Sequence, residues 1–502
     1  MAASKIPRLP KNCKPYFLIV RKVVDVKPIT SAYQIFYVRG GEIRNHTEPW
    51  RAASHNAGAF CPFAGSPPPP PMSRSKSLAP DVTLAAPAAS VDARTRRFQQ
   101  KREAVLDAAA LCFNARGVRG ATLADIAASV GLVTNSVTYY YRKKEDLAAA
   151  CFLRAIGFFD GLAARAAQVA PGDQAAAQRV RAFVRGYAEL LANVEEGRHP
   201  PQVLFNDLRA LPSPHLEQVH DAYRDLFRRV RALLMGAEAQ QFSRDELNAR
   251  THAVLSLVHW LPGWIGRHEA TEYGRIAERL CDLMLNGIAA RGAHWGTVEG
   301  EEGWTAGRST AGAQEPFLQA ATALVNEQGY RGASVDKISA RLHLTKGAFY
   351  HHNDNKQDLI SACFERSFMV LRETLARAEQ SPHSGWSRAG AVARVLGRFQ
   401  LSAEGPLLRM SSTSALPEAD DRVRVRRSML RLAERMGSLV VDGMVDGSIR
   451  PLDPTVAAQA IFALVNAAFE LPRWVPKAGE NEVADLLMKP LFLGLLSPSE
   501  AR

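Results

Sequence analysis

Cysteine is sparse and unpatterned in this chain. The six cysteines (Cys13, Cys61, Cys112, Cys151, Cys281, Cys363) form no CxxC pair and keep no regular spacing, which excludes a disulfide framework and a zinc ribbon and leaves reduced thiols as the default. Several fall within helical patterns, as small apolar residues do. No apolar run approaches the ~20 residues needed to cross a bilayer, so no membrane partner is expected. The N-terminus lacks the compact apolar core and small-residue cleavage site of a secretory signal, so the expected compartment is cytoplasmic. Walker loops and nucleophile elbows are missing, and the histidines (His343/His351/His352, His215/His220, His252/His259) miss the i, i+4 spacing of a helix-face metal site. An enzyme, a resident metal and a cofactor are therefore not expected.

Charge is present, but it is misleading in bulk. The formal charge of +13 is split unevenly: residues 1–71 hold ten Lys/Arg against three Asp/Glu, supplying +7 and leaving +6 for the remainder. Global basicity is thus a poor argument for a nucleic-acid partner, and local charge is the better one. Between Val91 and Leu147 ten basic residues oppose six acidic ones, clustered as Arg94/Arg96/Arg97/Lys101/Arg102 and Arg142/Lys143/Lys144.

That basic stretch contains TLADIAASVGLVTNSVTYYYRKKEDL, Thr122 to Leu147. Thr122 is a candidate N-cap, and Leu123, Ile126, Ala127 and Val130 then share one helical face. Gly131 stops the helix, Thr134 is a candidate cap for the next, and that second helix displays Thr134, Asn135, Ser136, Thr138, Tyr139 and Tyr140. A helix, a tight turn and a second helix rich in hydroxyl, amide and phenol groups suit a DNA groove.

The rest of the chain is organised around this unit. Residues 1–95 read as a disordered leader, with short β-like patches at Tyr16–Val20 and Ile35–Val38 and an extended spacer at Pro67–Pro71. Met72 is a candidate start; a genuine disordered arm is the alternative. An amphipathic helix from Arg97 to Arg116, ended by Gly117 and Gly120, opens a first helix-turn-helix domain over 96–150. A bundle over 151–290 follows, in which Ser243 and Glu246 form a capping box ahead of the helix carrying Trp260. Residues 291–313 hold six glycines and no apolar period, which predicts a flexible linker. Fully extended, it reaches ~75 Å.

Beyond it the pattern restarts. Gly329, Ser334, Ile338, Lys356, Leu359 and Cys363 match Gly117, Thr122, Ile126, Lys144, Leu147 and Cys151 at a constant offset of 212. The second helix-turn-helix domain spans 314–362 and its bundle 363–502, with Asp453-Pro454 as a clean helix start. Leu261-Pro-Gly-Trp264 is echoed by Leu471-Pro-Arg-Trp474. A tandem duplication of an all-α, two-domain unit is the expected architecture.

REAVLDAAALCFNARGVRGATLADIAASVGL, the LTKGAFYHH of the second copy and GSIRPLDPTVAAQAIFALVNA closely resemble the TetR/AcrR regulators. The resemblance implies two tandem TetR-like units, each a three-helix DNA-binding head followed by a helical effector and dimerisation bundle. It also implies double-stranded operator DNA, expected to be palindromic, and a small lipophilic effector that releases a repressor from it. The two units would act as an intramolecular pseudo-dimer or through a homodimer. The DNA-facing candidates are Thr122, Thr134, Asn135, Ser136, Thr138, Tyr139, Tyr140 and Lys144 in copy one, and Ser334, Thr345, Lys346, Gly347, Tyr350, His351 and Lys356 in copy two. Lys144 and Lys356 are placed for phosphate oxygens. Phe205, Trp260, Trp264, Phe469 and Trp474 are the candidate effector-pocket aromatics, with core packing as the competing reading.

The copies depart from the family pattern differently. Copy one has Thr138 where the family's phosphate-contacting aromatic stands and Tyr141 where a Phe packs under the recognition helix. Copy two has His343 at the turn glycine, Asn353 at that Phe, and no net charge from Gln314 to Leu359. Copy one is therefore expected to carry more of the affinity, since phosphate neutralisation dominates it. Two other classes compete: an enzyme with an incidental helix-turn-helix, and a helical effector-binding protein with one degenerate head.

Overall fold

The structure is a computed structural model that describes residues 37–39, 42–44, 89–169, 176–304, 314–344, 356–416 and 418–497. The chain divides into two compact units, Met1–Ala85 and Ala86–Arg502. In the first, the described residues are a small antiparallel hairpin, β1 (Tyr37–Arg39) against β2 (Glu42–Arg44), with Val38 opposite Ile43. The Ile35–Val38 patch overlaps it; Tyr16–Val20 and Pro67–Pro71 lie outside the described residues.

The second unit is all-α. Helix α1 (Ala89–Gly120) begins inside the expected leader, where no Gly or Pro interrupts the chain between Ala89 and Arg97. Gly117 interrupts it with φ 70°, a left-handed conformation that glycine adopts without cost. Next come α2 (Leu123–Ser129) and α3 (Thr134–Tyr140), the helix-turn-helix pair. The long α4 (Lys144–Val169) joins head to bundle. Among the described residues α4 is the one helix long and apolar enough, by length and composition, to cross a membrane, although Arg154 and Asp160 interrupt its apolar run. Its apolar face is instead spent on the core, through Leu147, Phe152, Ile156 and Phe159 among others. The first bundle is completed by α5 (Ala176–Glu195), α6 (His215–Leu233), α7 (Arg244–Trp260) and α8 (Tyr273–Asn286). The Ser243–Glu246 capping box forms at the start of α7.

Copy two repeats the plan with α9 (Glu315–Gly332), α10 (Val335–Arg341), α11 (Lys356–Gln380), α12 (Gly385–Leu401), α13 (Ala419–Val445) and α14 (Pro454–Ala468). Asp453 caps α14, accepting from the amides of Thr455 and Val456. The offset of 212 holds for contacts as well as letters. Gly117 and Gly329 share one φ/ψ pair to within 2°. The Cys151 and Cys363 thiols donate to the carbonyls of Leu106 and Leu318. Arg154 pairs with Glu103, and Arg366 with Glu315. The Asn114 amide bridges Gln202 O and Leu204 N, and that of Asn326, at the same offset, bridges Leu407 O and Arg409 N, whose own offset has fallen to 205 (407 − 202) because the bundles differ in length.

The two copies pack directly on each other. Helices α7 and α8 lie against α14 and the C-terminal segment. Ile288 N donates to Phe492 O at 2.9 Å, Leu495 N to Met284 O at 2.7 Å, and the buried Arg250 to Leu495 O at 2.9 Å. Ala289 and Ile449 form a single antiparallel bridge.

The connector corrects the flexible-linker reading over its described part, 291–304. Trp295 Nε1 donates to Asp485 Oδ1 at 2.9 Å and its ring lies 4.8 Å from the Arg394 guanidinium. Glu301, fully buried, accepts from Arg394 Nη2 at 2.7 Å, and Arg394 is itself 3% exposed. Glycine content misled here because the anchoring residues (Trp295, Glu301, Trp304) are few and non-periodic.

Candidate DNA interface and effector cavity

The first head is held together from one side and open on the other. Val137 is the buried residue of α3 and fastens it to the head's core, a contact worth ~2 kcal/mol. Around it Thr134, Asn135 and Tyr139 are exposed, while Ser136, Thr138 and Tyr140 are half-buried. Tyr139 is 74% exposed. The N-cap of α3 is Val133, without a side-chain bond, so Thr134 is the first helical residue and its hydroxyl is not used as a cap. Thr138 Oγ1 turns back to donate to Asn135 O at 3.0 Å. Phe98 of α1, which the sequence reading missed, packs on Tyr140 at 4.9 Å and edge-on to Tyr139 at 6.0 Å. An aromatic on a charged, exposed helical turn is the signal that would have found it.

Thr122 and Ser334 both cap their helices as expected. The Thr122 hydroxyl accepts from Asp125 N at 3.1 Å and donates to Asp125 Oδ2 at 2.8 Å, so it is committed to the cap. That hydrogen bond holds the Asp125 carboxyl below the usual range, against the opposing effect of burial. Ser334 Oγ accepts from Lys337 N at 3.2 Å. The two lysines differ from expectation. Lys144 Nζ donates to the carbonyls of Arg119 and Ala121 at 3.1 and 3.0 Å, and Lys356 Nζ donates to Tyr330 O, with the Tyr330 ring beneath it at 4.2 Å. Each ammonium satisfies carbonyls left open where the head's first helix ends. Thr345, Lys346, Gly347, Tyr350 and His351, with Asn353, lie outside the described residues. His343 has φ 55°, left-handed like Gly131 at φ 65°, the residue it matches.

The bundle candidates split. Phe205, Trp260 and Trp474 line one cavity of about 160 Å³, which lies in the first bundle and is closed by residues of the second. Trp264 and Phe469 are not part of its wall. Trp264 follows the short turn Leu261–Gly263, is 4% exposed and packs in the core beside His268. Phe469 is the C-cap of α14. Trp474 was expected to serve a pocket in its own bundle; instead it stacks on Phe227 of copy one at 3.7 Å.

The cavity is not simply apolar. One wall is aromatic, with Phe205 lying 5.9 Å from Phe159 and 4.9 Å from His259. The opposite wall is ionic. Glu470 Oε1 accepts from Arg209 Nη2 at 2.6 Å and also from Arg409. Burial pushes the Glu470 carboxyl up, but the Arg409 and Arg209 guanidiniums outweigh it and hold the group ionised far below the carboxylate range. Burial pushes His220 and His259 down to about 4, so both are neutral near pH 7. Four buried polar atoms on the lining have no hydrogen-bond partner among the described residues: Gln202 Oε1, His220 Nε2, His259 Nε2 and Arg409 Nε. Sequence reading missed Glu470 and both arginines because the pair Arg209–Glu470 joins residues 261 apart. A local sign existed: Glu470 stands before Leu471-Pro where Trp260 stands before Leu261-Pro.

The cavity also touches both heads through one strap, the 3₁₀ turn Phe205–Ala210. Asp207 Oδ2 on this strap accepts from Val118 N, just past Gly117 in α1, at 2.6 Å. Arg209 donates to Asn326 O in α9.

Comparison with known proteins agrees with the duplication. The family described as bacterial regulatory proteins, tetR family, matches residues 105–151 and again 317–363. The tetracyclin repressor-like C-terminal domain matches 173–288. The Transposon Tn10 TetC protein of Escherichia coli is 37% identical over 86 residues, 16% of this chain and 43% of that protein. The chain thus spans less than half the length of this relative. The HTH-type transcriptional repressor DhaR of Mycobacterium sp. (strain GP1) is 25% identical over 160 residues, 30% of this chain and 77% of that protein. The solved structure of apo AibR aligns with 23% identity and a TM-score of 0.30, over 36% of this chain and 97% of that one. With the head matched twice at the same offset that relates its capping residues, kinks and thiol contacts, the chain belongs to the TetR family of bacterial regulatory proteins, as a tandem duplicate of the family's unit.

Proposed function

We propose that this chain is a sequence-specific DNA-binding transcriptional repressor of the cytoplasm that carries both reading heads of a pseudo-dimer in one polypeptide and is released from its operator by a small molecule. The observation that carries the reading is α3: a short helix fastened by Val137 and otherwise presenting Thr134, Asn135 and Tyr139 outward, directly before the exposed Arg142 and Lys143. Polar side chains of that kind read base edges, and the flanking cations hold phosphates. Thr122, Ser334, Lys144 and Lys356 then serve mainly to shape the heads, with phosphate contact a second use of the lysines.

The packing of α7 and α8 against α14 supports the pseudo-dimer, since it supplies within one chain a seam that two subunits would otherwise form. The strap that bonds to both α1 and α9 supports release by a ligand, because one cavity-lining element touches both heads. Selection of genomic fragments on the full chain, followed by gel shift, tests the reading. The expected product is an imperfect palindrome, with half-sites about one helical turn apart, bound far more tightly than random competitor DNA. Equal affinity for target and competitor would overturn it. The left-handed His343 and the neutral charge of the second head favour a secondary reading in which copy two contributes little affinity.

A further inference from the structure

The cavity contains its own description of a ligand. Its size, about 160 Å³, is close to the ~150 Å³ that accommodates one benzene ring in a protein interior. The aromatic wall of Phe159, Phe205 and Trp260 suits a flat apolar body. On the facing wall three guanidiniums, Arg209, Arg409 and Arg473, are set against the single carboxylate Glu470. Both Arg209 and Arg409 bind the same oxygen of Glu470. Arg473, exposed at the edge of the lining, has no ion pair among the described residues. The wall is therefore two positive charges in excess, and an anion that enters meets arginines already arranged around a carboxylate. Gln202 Oε1 has only an acceptor to offer, which calls for a hydroxyl or N–H on the ligand. The two neutral histidines accept or donate according to tautomer.

We propose that the cavity is the receptor for one small aromatic carboxylate per chain, whose carboxylate takes over Arg409 and Arg209 from Glu470. This rests on the regulator reading for its effect on DNA, while the ligand chemistry stands apart from it. Glu470 is a built-in occupant of the anion site. Displacing it unfastens α14, on whose C-terminal side it sits, from the strap 205–210. Arg209 also donates to Asn326 O of α9, and Asp207, two residues away, receives Val118 N of α1. A shift of this one strap alters the anchorage of both heads together. Because residues of both copies form this one cavity wall, it holds one ligand per chain.

Calorimetric titration of the full chain with benzoate, phenylacetate and 4-hydroxybenzoate, each beside its amide, tests the proposal without DNA. At least one carboxylate is expected to bind at one site per chain, with its amide weaker by about tenfold or more. Glu470→Gln removes the competing carboxylate and is expected to tighten the carboxylate, not the amide, by about tenfold. Arg473→Gln, at an exposed position, is expected to weaken it without changing the melting temperature. Carboxylate and amide binding alike, two sites per chain, no saturable carboxylate binding, or an unchanged affinity in folded Glu470→Gln would each overturn the proposal. Gel shift run in parallel separates the two readings. A chain that ignores DNA yet prefers carboxylates retains the ligand inference and loses the regulator; the opposite result does the reverse.

Discussion

The two copies share one set of backbone decisions and diverge in what surrounds them. Gly117 and Gly329, Asn114 and Asn326, Cys151 and Cys363, Arg154 and Arg366 make equivalent contacts. Yet the cavity sits in copy one, the connector wraps copy two, and Glu470 occupies the place of Trp260. In a symmetric homodimer any residue that reaches across the seam must do so twice. Fusion removes that obligation. Glu470 and Trp474 reach into copy one through an ion pair and a ring stack, whereas Trp260 reaches back differently, its indole N–H donating to Gln459 Oε1 at 3.0 Å.

Burial is where the comparison is easiest to break. Arg366 is 2% exposed and its partner Glu315 12%, whereas Arg154 is 20% exposed beside a half-exposed Glu103. Arg366→Ala takes the guanidinium away from a buried carboxylate and a donor away from the carbonyls of Glu404 and Pro406, and is expected to cost ~3–5 kcal/mol. Arg154→Ala, in wetter surroundings, should cost about 1 kcal/mol. Urea denaturation of the two variants measures both; equal losses would mean the copies are more alike than their exposure implies. Glu301→Ala belongs with the first class, since it strands Arg394 at 3% exposure.

The heads are expected to differ in function as well. Replacing Thr134, Asn135 and Tyr139 together by alanine should lower operator affinity by about 100-fold, close to 2.7 kcal/mol. Alanine at the matching positions Lys346, Gly347 and His351 together should lower it about tenfold, because the neutral second head contributes less phosphate attraction. Fluorescence anisotropy at one salt concentration compares them, and equal losses would remove the inequality between heads.

What was legible in the letters was whatever is local or repeats. The capping residues Thr122, Ser334, Ser243 and Asp453 and the turn at Gly131 rest on neighbours within a few residues, which local physics governs, while the offset of 212 was legible because the same local pattern occurs twice. Roles that depend on distant partners were not legible. Lys144 was read as facing outward, yet its ammonium closes the end of α1 some 23 residues upstream. Residues 291–304 read as a linker because the residue that fixes them, Arg394, is 93 positions away. The cavity was read as apolar from its aromatics, while its ionic wall comes from Arg209, Arg409 and Glu470, brought together only by folding across the seam.

Acid should separate the copies next. His220 and His259, pushed down to about 4 by burial, belong to copy one. Among the described residues His294, His343 and His383 around copy two are exposed. A histidine whose folded pKa lies below its unfolded value takes up protons more readily when unfolded. Its neutral form thus contributes stability that is complete above about pH 6.5 and is lost as pH falls toward about 4. Urea midpoints at about pH 7.5 and about pH 5.5 should therefore drop for the whole chain, and His259→Phe should shrink the drop. A drop unchanged in that variant would place the acid-sensitive groups elsewhere.

The smallest expected effect is the most direct comparison of matched positions. Gly131 and His343 end α2 and α10 in the same left-handed turn, at φ 65° and 55°. Glycine enters that region freely, whereas a side chain there crowds its own backbone at a cost of about 1–2 kcal/mol. His343→Gly relieves that strain but also loosens the unfolded chain, which returns part of the gain. The net expectation is a stabilisation of roughly 0.5–1 kcal/mol. Gly131→His, which imposes the same conformation on copy one, should destabilise by a similar amount, with nothing within 4 Å of the added Cβ to worsen it. If both substitutions destabilise, the His343 side chain contributes a favourable contact that outweighs its backbone. The second turn would then be a working variant of the first and not a weakened one.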